Sequence, residues 1–142
     1  MTDMAVAADH VIFGLPEVKV GVFPMQVLSL LQSIAPARLV NEWALTGEPF
    51  DANAAQAAGL LNHVVPAAEL DAKVDWLISR IVDKSPTAIR RGKYAMRAIA
   101  SMSFDESIAY TESQIALLAM TEDAKEGLKA FGEKRKPVWT GR

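Results

Sequence analysis

The segments that can form β-strands are few and short, and they constrain the fold more than any other feature of the chain. Residues 4–7 and 10–14 read as two buried strands separated by a polar break, and residues 62–66 read as a third that ends at Pro66. All are apolar on both faces, as strands in the middle of a sheet are. So few short strands cannot form a self-sufficient sheet. We therefore expect this chain to be part of a larger fold or to depend on a partner chain.

Most of the remaining sequence predicts helices with clear start and stop signals. Asp51, Ser85 and Thr121 are placed to cap helices, and Ser103 with Glu106 forms a capping box. The predicted helices span 26–35, 36–46, 52–58, 70–81, 86–100, a stretch that begins at 104, and 122–136. The chain is therefore predicted to be an α/β protein in which helices dominate after residue 66.

Composition places the chain among globular proteins and excludes several functional classes. Of its 142 residues, 51% are hydrophobic and 23% are charged, which is typical of a folded domain with a core. The net charge of -2 gives no sign of a nucleic-acid-binding surface. The chain has no cysteine, which removes disulfides and cysteine-based metal sites and fits a reducing compartment. The first ten residues lack the basic region of a signal peptide, so we expect a cytoplasmic protein.

One uncharged stretch raises the question of a membrane span. Residues 20–37 carry no formal charge and approach the minimum length of a transmembrane helix. They also contain Pro24, Pro36 and several amide and hydroxyl side chains. Prolines and amides at this density suit a buried soluble segment better than a membrane helix, so we predict no membrane insertion.

A single acid in an apolar stretch is the strongest candidate for chemistry. In FGLPEVKVGVFP, residues 13–24, Glu17 directly follows Pro16 and precedes Lys19 among large apolar side chains. Three interpretations remain open: a loop acid that is solvated or paired with Lys19, a buried partner of a distant base, or a catalytic acid in a dry pocket. In the third case burial would disfavour the charged form and suit Glu17 to proton exchange near neutral pH.

Three motifs, in order and in register, resemble the crotonase family of enoyl-CoA hydratases and isomerases. They are DMAVAADHVIFGLPEVKVGVFP (3–24), ALTGEPFDANAAQAAGLLNHVVP (44–66) and EDAKEGLKAFGEKRKPVW (122–139). The resemblance covers essentially the whole chain and implies a ClpP/crotonase-like α/β fold. It further implies that residues 1–66 are the C-terminal remnant of the spiral ββα core. Residues 67–142 would then form the helical oligomerisation region.

The resemblance assigns roles to three residues. Glu17 matches the family acid that works on water beside an enoyl thioester, which makes it the expected catalytic residue. Phe131 and Lys134 match positions that approach the adenine and phosphates of coenzyme A. The expected substrate is an acyl-CoA, with coenzyme A as part of the substrate and no separate cofactor or metal. The expected assembly is a homo-oligomer, either a trimer or a hexamer.

Family members are about twice as long as this chain, so the resemblance implies that the first half of the fold is absent from it. That half carries both backbone N–H donors of the oxyanion hole and a second glutamate. We therefore expect the chain by itself to be inactive or nearly so, because oxyanion donors carry much of the rate. Two alternatives stay open: a non-catalytic helical self-association module, and a fragment of the isomerase branch.

The chain also departs from the family pattern. Many hydratases have glycines where this sequence has Met25 and Gln26. These side chains enter space that the glycines leave open for water and the acyl chain, which puts the acyl substrate and the reaction branch in doubt. We expect Met25 and the apolar stretch 28–31 to belong to the core rather than to an acyl pocket.

The remaining candidates are assigned to structure. Arg90, Arg91, Lys93 and Arg97 form a basic helix face that we expect to be solvated, with phosphate contact as the alternative. The basic run 134–136 could equally be a solvated helix end, where cations are favoured. His10 and His63 lack metal-ligand spacing, and the three tryptophans, Trp43, Trp76 and Trp139, are expected to serve in packing or interfaces.

Overall fold

A computed structural model describes residues 2–142, and these contain four strands and seven α-helices. The strands are β1 (Val6–Ala8), β2 (Ile12–Phe13), β3 (Phe50–Asp51) and β4 (His63–Val65). The helices are α1 (Met25–Leu31), α2 (Ala37–Thr46), α3 (Ala52–Ala57), α4 (Leu70–Ser79), α5 (Pro86–Ile99), α6 (Phe104–Ala119) and α7 (Glu122–Gly132). Two 3₁₀ turns, Pro16–Val20 and Ala67–Glu69, complete the regular structure.

The strands form two separate pairs. β1 lies parallel to β4, with Val6 opposite His63, and β2 lies antiparallel to β3, with Phe13 opposite Phe50. The three predicted strands are present with shifted bounds, whereas β3 was not predicted because Phe50–Asp51 is too short to show alternation. Within residues 2–142 neither sheet gains a third strand. This agrees with the expectation that the chain supplies few neighbours for its strands.

Local capping signals determine where most helices begin. Asp51 accepts a hydrogen bond from the Ala54 backbone N–H at 2.7 Å, as predicted for the start of α3. Ser85 and Thr121 make the predicted caps at the starts of α5 and α7. The capping box at Ser103 is present in both directions. These caps depend on residues within one turn of each other, which is why the sequence alone predicts them.

Two helices end four residues before their predicted ends. α1 ends at Leu31 rather than at residue 35. α7 ends at Gly132 rather than at residue 136, because Lys134 adopts the left-handed conformation with φ of 54°. A residue with positive φ cannot continue a right-handed helix. The chain therefore turns four residues before the predicted end.

The chain divides into two compact units, one that ends at Leu77 and one that comprises Ile78–Arg142. In the first unit the core is built around fully buried Val40 and around Trp43, whose ring stacks on Phe50 at 3.8 Å between centroids. The predicted division at residues 66 and 67 concerns family ancestry rather than compactness and stays a prediction.

None of the described helices combines enough length with enough apolar character to cross a bilayer. The uncharged stretch 20–37 is divided by Pro24 and Pro36 into loop, the seven-residue α1 and a further loop. Each proline occupies the cap position before a helix, which is where the restricted backbone of proline is tolerated.

Candidate functional site

Glu17 occupies the second position of the 3₁₀ turn Pro16–Val20. Pro16 begins this turn and restricts the backbone just before the acid. Gly21 ends it with φ of 82°, and its N–H donates to the Val18 carbonyl at 3.3 Å. The Val22 N–H donates to the carbonyl of Glu17 itself at 3.2 Å. The backbone that carries the acid is therefore closed on both sides.

The turn is held against the end of α2. Gly47 has a φ of 65°, and a Cβ built there would lie 3.0 Å from Cγ1 of Val18. Only glycine meets both the backbone conformation and this close approach. The Lys19 ammonium forms an ion pair with Glu48 at 2.8 Å, just beyond the same helix end. Steric fit and one exposed ion pair thus position the segment that bears Glu17.

The Glu17 carboxylate has an unusual environment. Glu17 is half-buried, and its Oε2 is shielded from solvent with no hydrogen-bond partner among residues 2–142. Lys19 pairs with Glu48 instead, so the interpretation of Glu17 as a partner of Lys19 is wrong. A shielded polar atom without a partner is costly and rare in native structures. Such an atom is a candidate for a role with substrate or water.

A pocket of about 490 Å³ opens beside this carboxylate. It is lined by Glu17, Phe23, Pro24, Met25, Gln26 and Val27. Met25 is 71% exposed, so the expectation that it belongs to the core is wrong. Leu28 and Leu31 do pack on the core, as predicted, whereas Leu30 is exposed and does not. The pocket therefore offers one carboxylate, one amide and apolar walls, which suits proton transfer beside an apolar group.

Phe131 and Lys134 lie at the end of α7, in the other compact unit from Glu17. The Phe131 side chain is 86% exposed. The Lys134 N–H donates to the Phe131 carbonyl at 3.2 Å, and its exposed ammonium makes no ion pair within residues 2–142. The two residues are thus adjacent and accessible.

Arg135 differs from its neighbours in the basic run. Its guanidinium binds both carboxylate oxygens of Glu126, at 2.6 and 2.9 Å, and also Glu133 at 2.6 Å. Hydrogen bonding to Arg135 is the main cause that lowers the pKa of Glu126 to about 2, and the same contacts raise the pKa of Arg135. Arg135 is exposed, as a solvated run predicts, but its charge is paired within the chain.

Sequence reasoning missed the most buried acid. Asp123 is 1% exposed and accepts hydrogen bonds from the Ser85 hydroxyl at 2.7 Å and the Thr140 N–H at 2.8 Å. Burial raises its pKa, but the hydrogen bonds from Ser85, Thr140 and Gly141 outweigh burial and leave the pKa well below its usual value. In the sequence Asp123 looks like any acid in a first helical turn. No local signal identifies its distant partners.

Comparison with known proteins places these features in a family. The family model described as Enoyl-CoA hydratase/isomerase matches residues 1–142. A carnitinyl-CoA dehydratase from Escherichia coli O157:H7 is 39% identical over 146 aligned positions, which cover 99% of this chain and 56% of the relative. The chain therefore spans about half the length of the curated relatives that it matches.

Solved structures agree. An enoyl-CoA hydratase from Mycobacterium smegmatis superposes with a TM-score of 0.92 at 31% identity, over 96% of this chain and 53% of that one. The human enoyl coenzyme A hydratase domain-containing protein 3 gives a TM-score of 0.93 at 33% identity, over 96% of this chain and 54% of that one. These likenesses confirm the predicted crotonase-like α/β fold. Since the family model covers every position of the sequence, the chain belongs to the enoyl-CoA hydratase/isomerase family.

Proposed function

We propose that this chain contributes the proton-transferring carboxylate, Glu17, to a site that adds water to a 2-enoyl-CoA thioester or removes it. The observation that carries the proposal is the shielded, unpartnered Oε2 of Glu17 at the wall of a pocket. The carnitinyl-CoA dehydratase that is similar to this chain over 99% of its length is named for removing water, and this supports dehydration as the direction of the reaction.

The proposed step balances as follows. Glu17 accepts a proton from water while the water oxygen bonds to the β-carbon of the enoyl group. The electron pair of the double bond moves toward the thioester oxygen and forms an enolate. Glu17 then returns that proton to the α-carbon, which completes the hydration and restores the carboxylate, and dehydration is the reverse. General base catalysis by a positioned carboxylate contributes roughly 10²–10⁴-fold to such steps.

The enolate oxygen needs hydrogen-bond donors, and we propose that these come from outside the 142 residues. The finding that supports this is that the chain spans 56% of its curated relative. Losing even one oxyanion donor costs on the order of 10²–10³ in rate. The chain alone should therefore show little or no turnover.

We also propose that Phe131 and Lys134 contact the adenine and phosphates of coenzyme A. The proposed location of the protein is the cytoplasm. Their exposure and the ammonium of Lys134, which has no ion-pair partner within residues 2–142, support this role. A lysine binds phosphate as a compact point charge.

The proposal for Glu17 can be tested in two arms. The purified chain, incubated with crotonyl-CoA, should give no hydration above background. A hybrid in which residues 1–142 replace the matching part of the Escherichia coli O157:H7 carnitinyl-CoA dehydratase should be active. In that hybrid Glu17→Gln should lower kcat at least about 100-fold. Glu42→Gln, which alters an exposed acid of α2, is the matched control and should leave kcat unchanged.

Each arm can contradict a separate claim. Clear turnover by the isolated chain would overturn the proposal that essential donors lie outside it. An active hybrid that tolerates Glu17→Gln would remove Glu17 from the mechanism. A product with a shifted double bond and no added water would favour the isomerase alternative.

A second candidate function is self-association of the helical region. It is favoured by large apolar side chains that are well exposed in Ile78–Arg142, including Phe104 at 77% and Leu128 at 73%. Contiguous exposed apolar surface commonly marks an interaction site. We propose a trimer or hexamer formed through this surface.

A further inference from the structure

A groove separate from the Glu17 pocket runs along one face of α5 within the unit Ile78–Arg142. Pro86, Ile89, Arg90, Lys93 and Tyr94 line it from α5. They are spaced three, one, three and one residues apart, which places them on a single helix face. The volume is about 590 Å³, within the range of roughly 300–1,000 Å³ that is usual for small-molecule sites.

Trp139 forms a fixed wall of this groove. Its indole Nε1–H donates to the Asp83 carbonyl at 2.9 Å. The other edge of the ring lies against Gly127, where an added Cβ would come within 3.2 Å of Trp139 Cη2. The ring therefore has a hydrogen bond on one edge and a close backbone contact on the other, so the wall exists before any ligand arrives. Ile81 and Val82 extend the apolar surface beside it.

The rim of the groove is cationic. Lys84, Arg90 and Lys93 all line it, and no acidic side chain of residues 2–142 does. Lys84 is paired with Asp83 at 2.6 Å, so it contributes little net charge. Within residues 2–142 Arg90 donates only a long bond of 3.5 Å, from Nη2 to the Gly141 carbonyl, which leaves its other N–H groups for a ligand. Arg90 thus puts positive charge beside an apolar wall, and Lys93 lines the same side of the groove.

We infer that this groove binds an amphipathic anion: a carboxylate or phosphate head group joined to a short apolar chain or ring. The head group would lie at Arg90 and Lys93, and the apolar part would pack on Trp139 and Ile89. The basic face of α5 was expected to be solvated. All four basic residues are exposed, as expected. Arg90 and Lys93 also line the groove, whereas Arg91 and Arg97 lie outside it. The inference is independent of any role of Glu17.

The test is calorimetric titration of the full 142-residue chain with defined probes. Octanoate and octyl phosphate should both bind, and the tighter of the two identifies the preferred head group. Octan-1-ol lacks the charge-assisted hydrogen bonds and acetate lacks the apolar chain, so each should bind at least about 10-fold more weakly than octanoate.

Variants locate the binding. The double variant Arg90→Gln with Lys93→Gln should lower octanoate affinity at least about 10-fold. Arg91→Gln with Arg97→Gln removes the same charge from the same helix outside the groove and should leave affinity unchanged. Val82→Glu puts a negative charge at an exposed groove position, where folding should be unaffected, and should abolish binding. Circular dichroism checks that each variant folds.

Four results would overturn the inference. In the first, the wild-type chain binds neither octanoate nor octyl phosphate. In the second, the two double variants lose octanoate affinity equally. In the third, octan-1-ol and octanoate bind with equal affinity. The fourth is self-association that Val82→Glu disrupts while no probe binds, because the groove would then be an interface between copies of the chain.

Discussion

At the scale of single residues, Glu17 combines a fixed backbone with an unsatisfied side-chain atom. Pro16 and Gly21 close the turn around it, while Oε2 is shielded and has no partner within residues 2–142. Stability alone does not favour this arrangement, since burying an unpaired polar group costs free energy. Locally unfavourable features of this kind concentrate at functional sites, which is why Glu17 is the first residue to test.

Lys134 shows a comparable conflict in its backbone. It is the only non-glycine residue with positive φ in the described chain. For a residue with a Cβ the left-handed conformation costs roughly 1–2 kcal/mol, whereas glycine adopts it freely. Lysine is therefore less stable than glycine at this position but supplies an ammonium group, which is consistent with the proposed contact to phosphate.

Substitution at Lys134 can separate the backbone from the side chain. Lys134→Gly removes the strain, and Lys134→Ala keeps it, while both remove the ammonium. We expect the glycine variant to have a free energy of unfolding about 1 kcal/mol higher than the alanine variant, measured by urea denaturation. Equal stability of the two variants would contradict the strain argument. If Lys134 binds phosphate, both variants should weaken coenzyme A binding equally.

At the scale of elements, α7 holds the end of the chain through two acids. Asp123 accepts hydrogen bonds from the Thr140 and Gly141 N–H groups, and Glu126 accepts one from the Val138 N–H at 2.8 Å. These carboxylates replace the partners that an extended tail would find in a sheet. They also place Trp139 between two fixed backbone segments, so the groove beside α5 depends on them.

Glu126→Gln should make stability less dependent on pH. Because Arg135 lowers the pKa of Glu126 from 4.5 to about 2 in the folded chain, the ionised form stabilises the fold above pH 4.5. That contribution is lost as the pH falls from 4.5 toward 2. Glu126→Gln should therefore lower the melting temperature by several degrees at pH 7 and approach the wild type near pH 2–3.

Thermal unfolding monitored by circular dichroism at pH 7, 4 and 3 measures this effect. Glu112→Gln is the control, because Glu112 is an exposed acid of α6. A constant difference between wild type and Glu126→Gln across the three pH values would contradict the linkage, because the group would then have the same pKa folded and unfolded.

At the scale of the whole molecule, the described residues form two units whose elements are unequally buried. The first unit has a continuous core around Val40 and Trp43. In the second unit the fully buried positions include Asp123 and Thr87, while Phe104 and Ile115 are well exposed. Helices with more apolar surface than their own unit covers favour association with another surface.

We expect purified chain to have the mass of three or six copies by size exclusion with light scattering. Phe104→Glu should shift the distribution toward the monomer, because it places a charge on the exposed apolar surface. Ser101→Glu adds the same charge at a nearby exposed polar position and should not. A wild-type chain that stays monomeric over a wide concentration range would remove the self-association proposal.

The sequence by itself determined the helix starts, three of the four strands and the family. Ser85, Ser103 and Thr121 form caps with residues three positions away, so neighbouring residues are sufficient to predict them. The family followed from three motifs in register, and Glu17 was selected from one of them. Each of these inferences rests on residues that are close in the sequence.

Only the tertiary structure decided which groups share an environment. It separated Lys19 from Glu17, placed Met25 in the pocket, and joined Asp123 to Ser85 and Thr140. It also placed two basic residues of α5, Arg90 and Lys93, at the edge of a groove. Burial and hydrogen bonding depend on residues that are distant in the sequence, and the free energy of a charge depends on that burial. No local pattern records either quantity.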